Sequence, residues 1–378
     1  MKTEIFLFDL LTWPEVADLP RDTPLVIPLG TGYDLTQLAE PLGRPARVGF
    51  LPAVPYGWRG SGLPVPEDLL GRFVANLLDS LRDDGFSRVF ALTPKGLYQP
   101  NDRVFPDARL TLLSDQAPLD LNLGDTGTGG RTVLIPIGHT EQHGHHLPLN
   151  TDTVIIEAIA RGAERAAPDE IVALPAFPYG VSTHRKSFAG TLNPGGRAFE
   201  DFWLAVIDTL AVMGTQKIYL ISGHGGSCSF LTNVVKYAGE RHPHIFTATT
   251  WLHTSDRIGT DALNRTRRSK IGGMGHAGEL ETAYLLHLRP DLVHMDRCID
   301  EIEFIATDSY FMDWAEGGSL VANPPWDDDT ATGAYGAGSV ATAKNGRLWL
   351  EAAIAEKVDH VRQIDEQWRR RSEKRRSL

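Results

Sequence analysis

Between residues 138 and 152 the chain reads GHTEQHGHHLPLNTD, which places Glu141, His143, His145, His146 and Asp152 within twelve positions. Carboxylates and imidazoles packed this densely are costly to bury unless a cation compensates them. A divalent metal does so directly, and neutral imidazole with carboxylate suits zinc, manganese or iron. A second cluster, Ser222-Gly223-His224-Gly225-Gly226-Ser227, sets one histidine among glycines that let the backbone approach a ligand closely. A third, Gly275-His276-Ala277-Gly278-Glu279-Leu280-Glu281-Thr282, leads into an apolar helix, Ala283 to Leu288. Each has a plainer reading. His224 alone is a turn residue, Glu281 alone is a helix start, and His145 and His146 alone are exposed loop residues. What favours chemistry is that the clusters fall where the elements below would bring them together.

The first cluster leaves the apolar run Val133 to Ile137, and the second leaves Ile218 to Ile221. Short β-rich runs of this kind predict buried strands, and parallel α/β folds place ligands at the carboxyl ends of such strands. Between them, Phe199, Trp203, Val206 and Leu210 share one helix face, and Gly214 marks the stop. The same sequence of signals occurs earlier. Ile27-Pro28-Leu29-Gly30 echoes Ile135-Pro136-Ile137-Gly138, and Leu51 to Gly57 echoes Leu174 to Gly180. Leu70, Val74, Leu77 and Leu81 repeat the helix spacing, Gly85 repeats the stop, and Val89 to Leu92 repeats the strand. Strand, helix, strand in order predicts a parallel α/β sheet, and two copies predict a duplicated unit. A glycine-rich stretch, Gly124 to Gly130, is the expected linker. The expected division is residues 1–118, a linker at 119–130, and a catalytic unit at 131–378. Near the end, Leu350, Ile354, Val358 and Val361 fall on one helix face, expected to pack against the sheet.

The chain has 378 residues, 42% hydrophobic and 22% charged, with a formal charge of −11. That charge argues against nucleic acid as the main partner. No stretch approaches the length of a membrane span, and Met1 to Pro20 does not read as a signal peptide. Cys228 and Cys298 are too few for a disulfide scaffold, which suggests reduced thiols and a cytoplasmic location. The basic cluster Arg369 to Arg376 reads as a solvated helix end.

From about Arg131 to Ile364 the residues resemble the creatininase (creatinine amidohydrolase) family. The resemblance rests on Glu-Gln-His-Gly-His-His-Leu-Pro with Thr151-Asp152, on Phe188-Ala189-Gly190-Thr191, which is similar to the family's Phe-Pro-Gly-Thr, on Gly-His-Gly-Gly, and on His-Ala-Gly-Glu-x-Glu-Thr. It implies a three-layer α/β/α fold with a mostly parallel sheet, preceded here by a degenerate copy. It also implies two divalent metal ions per chain, zinc foremost and manganese or iron as alternatives, and a homo-oligomer acting on a small molecule.

Carried over by position, Glu141 and His143 become ligands to different metals, Asp152 the bridging carboxylate and His224 a further ligand. Creatininases proper have a ligating glutamate two residues after that histidine, where this chain has Gly226. Glu281 is the first candidate to replace it and Glu279 the second. His276, with Glu279, is assigned to proton transfer. His184, Arg185, Gly190 and Thr191 are the expected substrate contacts. The implied reaction is attack of a metal-bridged hydroxide on an amide carbonyl. Cleavage of a C–C bond in an inosose-type ketone, hydrolysis of a modified peptide, and non-catalytic metal or ligand sensing are the competing readings. In the first copy Tyr33, Leu35 and Lys95 stand opposite Glu141, His143 and His224, so that copy is expected to be non-catalytic and to shape the mouth of the site.

Overall fold

The computed structural model describes residues 3–96, 109–111, 130–183 and 187–377. The expected linker lies outside these residues, Gly130 excepted.

The first half forms a sheet from β1 (Glu4–Leu7), β2 (Leu25–Pro28), β3 (Arg47–Phe50), β4 (Val89–Thr93) and β5 (Arg109–Thr111), in the order β1-β3-β2-β4-β5. The second half forms one from β6 (Thr132–Ile137), β7 (Ile171–Ala173), β8 (Lys217–Ser222) and β9 (Phe246–Thr250), in the order β9-β8-β6-β7. All pairings within both sheets are parallel. The echoed motifs make matching connections. Gly30 N–H donates to the Val54 carbonyl and Gly138 N–H to that of Phe177, each at 2.9 Å.

The helices are α1 (Trp13–Ala17), α2 (Glu67–Asp83), α3 (Thr151–Ala166), α4 (Gly196–Val212), α5 (Cys228–Arg241), α6 (Arg257–Thr266), α7 (Glu279–Leu288) and α8 (Ala343–Arg376). The predicted stripe Leu70, Val74, Leu77, Leu81 is buried on α2, and Phe199, Trp203, Val206, Leu210 on α4. Each helix ends before a glycine in the left-handed region, Gly85 at φ 92° and Gly214 at φ 85°.

Because side chains alternate across a strand, each sheet has two distinct faces. Ile27 and Leu29 of the first sheet and Val133, Ile135 and Leu220 of the second share one core with α2, α4 and α5. An aromatic cluster ties the halves together there, with the Phe73 ring centroid 5.7 Å from Phe177 and 4.8 Å from Phe202. Truncating such a ring typically costs about 3–5 kcal/mol.

The opposite faces differ. Leu134, Tyr219 and Ile221 are covered by α3, α7 and α8. Val26, Val48 and Leu92 are covered by Leu38 and Leu42 of the segment between β2 and β3, with no long helix among the described residues. The expected three layers are therefore complete on the second sheet and incomplete on the first. Helix α8 packs chiefly on α3, α6 and α7, and touches the sheet at β8 and β9. No helix among the described residues is long and apolar enough to cross a membrane.

Candidate metal centre

Three segments meet at the carboxyl end of the second sheet. β6 delivers the loop bearing Glu141 and His143, β8 delivers His224, and α3 begins with Asp152 in its first turn. Glycine makes the approach of these segments possible. A Cβ on Gly138 would lie 2.5 Å from the Thr153 Cα, and one on Gly223 would lie 2.6 Å from the Asp152 carbonyl oxygen. Glu281, in the first turn of α7, closes the ring. Its Oε2 accepts the Ala277 N–H at 2.6 Å, and buried Ala277 holds a left-handed φ of 52°. A non-glycine residue there stores strain of the kind found at functional sites.

The three imidazoles are set alike. His143 donates from Nδ1 to the Glu141 carbonyl (3.1 Å), His224 from Nε2 to that of Val181 (2.8 Å), and His276 from Nε2 to that of Gln142 (2.6 Å). A carbonyl only accepts, so each bond places the proton on that nitrogen and leaves the other nitrogen bare in the neutral ring. The second nitrogens converge on the carboxylates. His224 Nδ1 is 2.8 Å from Glu141 Oε1 and 3.2 Å from Asp152 Oδ2. His143 Nε2 is 3.2 Å from Asp152 Oδ1 and 3.7 Å from Glu281 Oε2. His276 Nδ1 is 3.8 Å from Glu141 Oε1 and 3.9 Å from Glu281 Oε2.

All six side chains are essentially inaccessible to solvent. Burial pulls His143 and His224 down, but the facing carboxylates outweigh it and raise them to about 8 and about 9. Burial raises the Glu281 carboxyl, with Asp152 and Glu141 adding to it, while the two imidazoles hold Asp152 well below the usual range. A buried group of three carboxylates needs positive charge beside it. Donor atoms about 2.1 Å from a common ion and 90–110° apart sit ~3.0–3.4 Å from each other; the Asp152 spacings of 3.2 Å fall in that range, and the Glu141 and Glu281 spacings of 2.8 to 3.9 Å bracket it. Imidazoles anchored to backbone carbonyls through the opposite nitrogen are the usual supporting arrangement of metal-ligating histidines. The residues present therefore fit divalent cations.

Of the expected site residues, Glu141, His143, Asp152, His224, Glu281 and His276 are brought together. Glu279 is a correction. It accepts the backbone N–H groups of Arg268 and Ser269 (2.9 and 2.7 Å), so its carboxylate ties down residues 268–269 instead of reaching the cluster. Gly190 and Thr191 also stand elsewhere than expected. Gly190 N–H donates to Asp84 Oδ2 at 2.8 Å, tying its segment to the end of α2, and Thr191 Oγ1 accepts the Gln142 N–H at 3.1 Å, bracing the ligand loop from behind. His184 and Arg185 lie outside the described residues. His145 packs its ring on Trp13 (5.3 Å), and His146 bonds Thr282 while burial lowers it to about 4.

The sequence reading passed over His139, which adjoins the cluster. Its Nδ1 accepts the Gly180 N–H at 2.9 Å, and its Nε2 stands 4.0 Å from Glu141 Oε2. The proton then resides on Nε2, so His139 faces Glu141 as a donor. Its place directly after the strand-ending Gly138 was the available signal. Trp326 was also missed. Its ring lies 5.1 Å from that of His276 and walls the site.

Residues 123–361 match the family model described as creatinine amidohydrolase, Creatininase. The mycofactocin precursor peptide peptidase of Mycobacterium ulcerans is 32% identical over 191 residues, 46% of this chain and 68% of that protein. The creatinine amidohydrolase of Pseudomonas putida is 26% identical over 254 residues, covering 62% of this chain and 90% of that protein. The 3-dehydro-scyllo-inosose hydrolase of Thermotoga maritima is 30% identical over 173 residues, 44% of this chain and 53% of that one. A solved creatininase in its manganese form superposes with a TM-score of 0.52 at 22% identity, over 64% of this chain and 92% of that one, a likeness of fold. The family model covers well over half of the sequence, including every residue of the cluster just described, and the chain belongs to the creatininase family of hydrolases.

Proposed function

We propose that the protein is a metal-dependent amidohydrolase that opens a cyclic amide or cleaves another non-peptide C–N amide bond in a small molecule. The observation that carries this reading is the ring of three backbone-anchored imidazoles aimed at Glu141, Asp152 and Glu281. Two divalent ions, zinc foremost, would be held by Glu141, His224 and Asp152 on one side and by His143, Asp152 and Glu281 on the other. Bound there, such ions supply hydroxide at neutral pH and polarise a carbonyl.

The chain's own groups do the rest. Asp152 presents one carboxylate oxygen to each histidine and so couples the two halves of the site. His276, locked through Nε2, offers Nδ1 to take a proton from water and return it to the departing nitrogen. Trp326 covers that imidazole and limits water access. Glu281 stands in for the glutamate absent at Gly226. A Cβ at Gly226 would lie 2.4 Å from the Val181 carbonyl oxygen that anchors His224, so a side chain there would displace a ligand's support.

We also infer that residues 1–118 derive from the same unit as residues 131–378 and carry no catalysis. The shared strand order and the matching Gly30 and Gly138 hydrogen bonds support this.

The test is metal content by plasma mass spectrometry on wild type, Glu141→Ala and Glu281→Ala, with amide hydrolysis assayed after reconstitution. Two ions per wild-type chain and a deficit in both variants are expected. A chain that retains no metal after reconstitution would sink the proposal.

A further inference from the structure

Beside the metal centre runs a cleft of about 620 Å³, continuous with a pocket of about 250 Å³ through shared walls at Trp251, Tyr310, Met312, Trp314 and Val321. The cleft adjoins the site. Its floor includes Gly225 and Gly226, which follow His224, and Val181, whose carbonyl anchors that histidine. Trp326, packed on His276, forms part of its wall. A cleft of this size accommodates a drug-sized ligand, several times larger than a single small ring.

The described walls of the larger cleft are uncharged, while the smaller pocket also holds Asp313, paired with Arg267, and Asp329, bonded to the Tyr335 hydroxyl. Trp251 and Trp314 meet edge to face at 5.7 Å over the glycine floor. Among the described residues lining the larger cleft there is no Asp, Glu, Lys, Arg or His, although the chain carries 85 acidic and basic side chains (48 Asp+Glu and 37 Lys+Arg). The rim is apolar and open to water, with Val321 96% and Ile305 72% exposed. Contiguous exposed apolar surface of this kind marks a binding surface, and the walls it shares with the surroundings of His224 and His276 make the substrate the natural occupant.

Resting on the hydrolase reading above, we infer that the substrate is an amide bearing an extended, uncharged, largely apolar arm, which lies along the Trp251–Trp314 cleft while the scissile carbonyl sits at the metal centre. The arm supplies binding energy remote from the reacting bond, which positions that bond against His276 and the carboxylate ring.

The test compares two hydroxamates, whose head groups bind metal without being turned over, on the metal-loaded full chain by calorimetry. 6-Phenylhexanohydroxamate is expected to bind at least ~10-fold more tightly than acetohydroxamate, the scale of a few buried methylenes. Trp314→Ala and, at an exposed site where folding is not at stake, Val321→Lys should each cut that ratio to about threefold or less. Equal affinity of the two probes for wild type overturns the arm and leaves the hydrolase reading standing. A ratio untouched by Val321→Lys, together with a changed sedimentation coefficient, assigns the rim to a second copy of the chain and likewise overturns it. Failure of both probes to bind a chain that also takes up no metal removes the hydrolase reading and the arm with it.

Discussion

The two sheets begin alike and part company after the same strand. In the second, the residues following Gly138 run through Glu141 and His143 into α3, whose first turn presents Asp152. In the first, the residues following Gly30 run through Tyr33 and a single 3-10 turn at Leu35–Gln37 before β3. The Tyr33 hydroxyl turns back and donates to the Leu29 carbonyl at 2.6 Å, so a phenol ties off the strand end where the other half points a carboxylate at an imidazole. Among the described residues, the helix that would cover the outer face is missing along with the ligands. A metal site on this scaffold depends on a helix start held over the strand end, because that turn carries the carboxylate shared by both histidines. The first half keeps α2, which packs on α4, and among its described residues has no counterpart of α3.

The largest effect should come from removing the shared carboxylate. Asp152→Asn is expected to lower kcat/KM by ~10³-fold, the several kcal/mol that metal ions contribute to such reactions, with a parallel loss of bound metal. Full activity in a metal-loaded Asp152→Asn protein would contradict the role given to α3.

A second test exploits Asp84, where the first half grips the second through Gly190. Burial raises this carboxyl from 3.8 to about 6. The folded state therefore binds more protons than the unfolded chain between about pH 4 and 6, so stability falls as pH rises through that window. The loss is at most ~3 kcal/mol for a shift of about two units. Asp84→Asn keeps an acceptor for Gly190 and should flatten the pH dependence, gaining denaturation midpoint at pH 7 but not at pH 4. Parallel urea titrations of the two proteins across that range give the answer.

The amino-terminal segment also braces the ligand loop. The Leu149 and Asn150 N–H groups donate to the carbonyls of Leu11 and Asp9, and Asn150 Nδ2 donates to Asp9 Oδ2, all within 3.0 Å. Asp9→Ala is expected to weaken metal affinity by ~10-fold, the scale of a supporting contact behind a ligand, with recovery in Asp9→Asn. Chelator competition would reveal an unchanged affinity if the first half were a bystander. The smallest effect belongs to Tyr33→Phe, which should cost about 1 kcal/mol of stability, the worth of one hydrogen bond, and leave turnover unaltered.

How much of this was legible beforehand follows from the range of each signal. Strands β2, β4, β6 and β8 and helices α2 and α4 were readable because their apolar spacing is local. Glu141, His143, Asp152 and His224 were readable because they crowd strand ends. The sequence ranks Glu281 over Glu279 as the ligand, but does not exclude Glu279 from the site. Residues two positions apart on a helix lie roughly 200° apart around its axis, so only one can face the centre, and the choice depends on where residues 268–269 pass. The cleft was invisible because residues 299–341 hold almost no regular structure, and Trp314 and Trp326 reach the site through contacts distant in sequence.

The aromatic core shared by the two halves also bears on the order of synthesis. Tyr56 and Phe73 leave the ribosome well before Phe177, Phe202 and Trp203, the rings they pack against. Until more than a hundred further residues have been made, the nascent first half carries a bare aromatic face, open to chaperones and to neighbouring nascent chains. A fragment ending at residue 118 should keep that face and bind a hydrophobic dye. The first half is thus the part of the chain that must be shielded longest while the protein is being made.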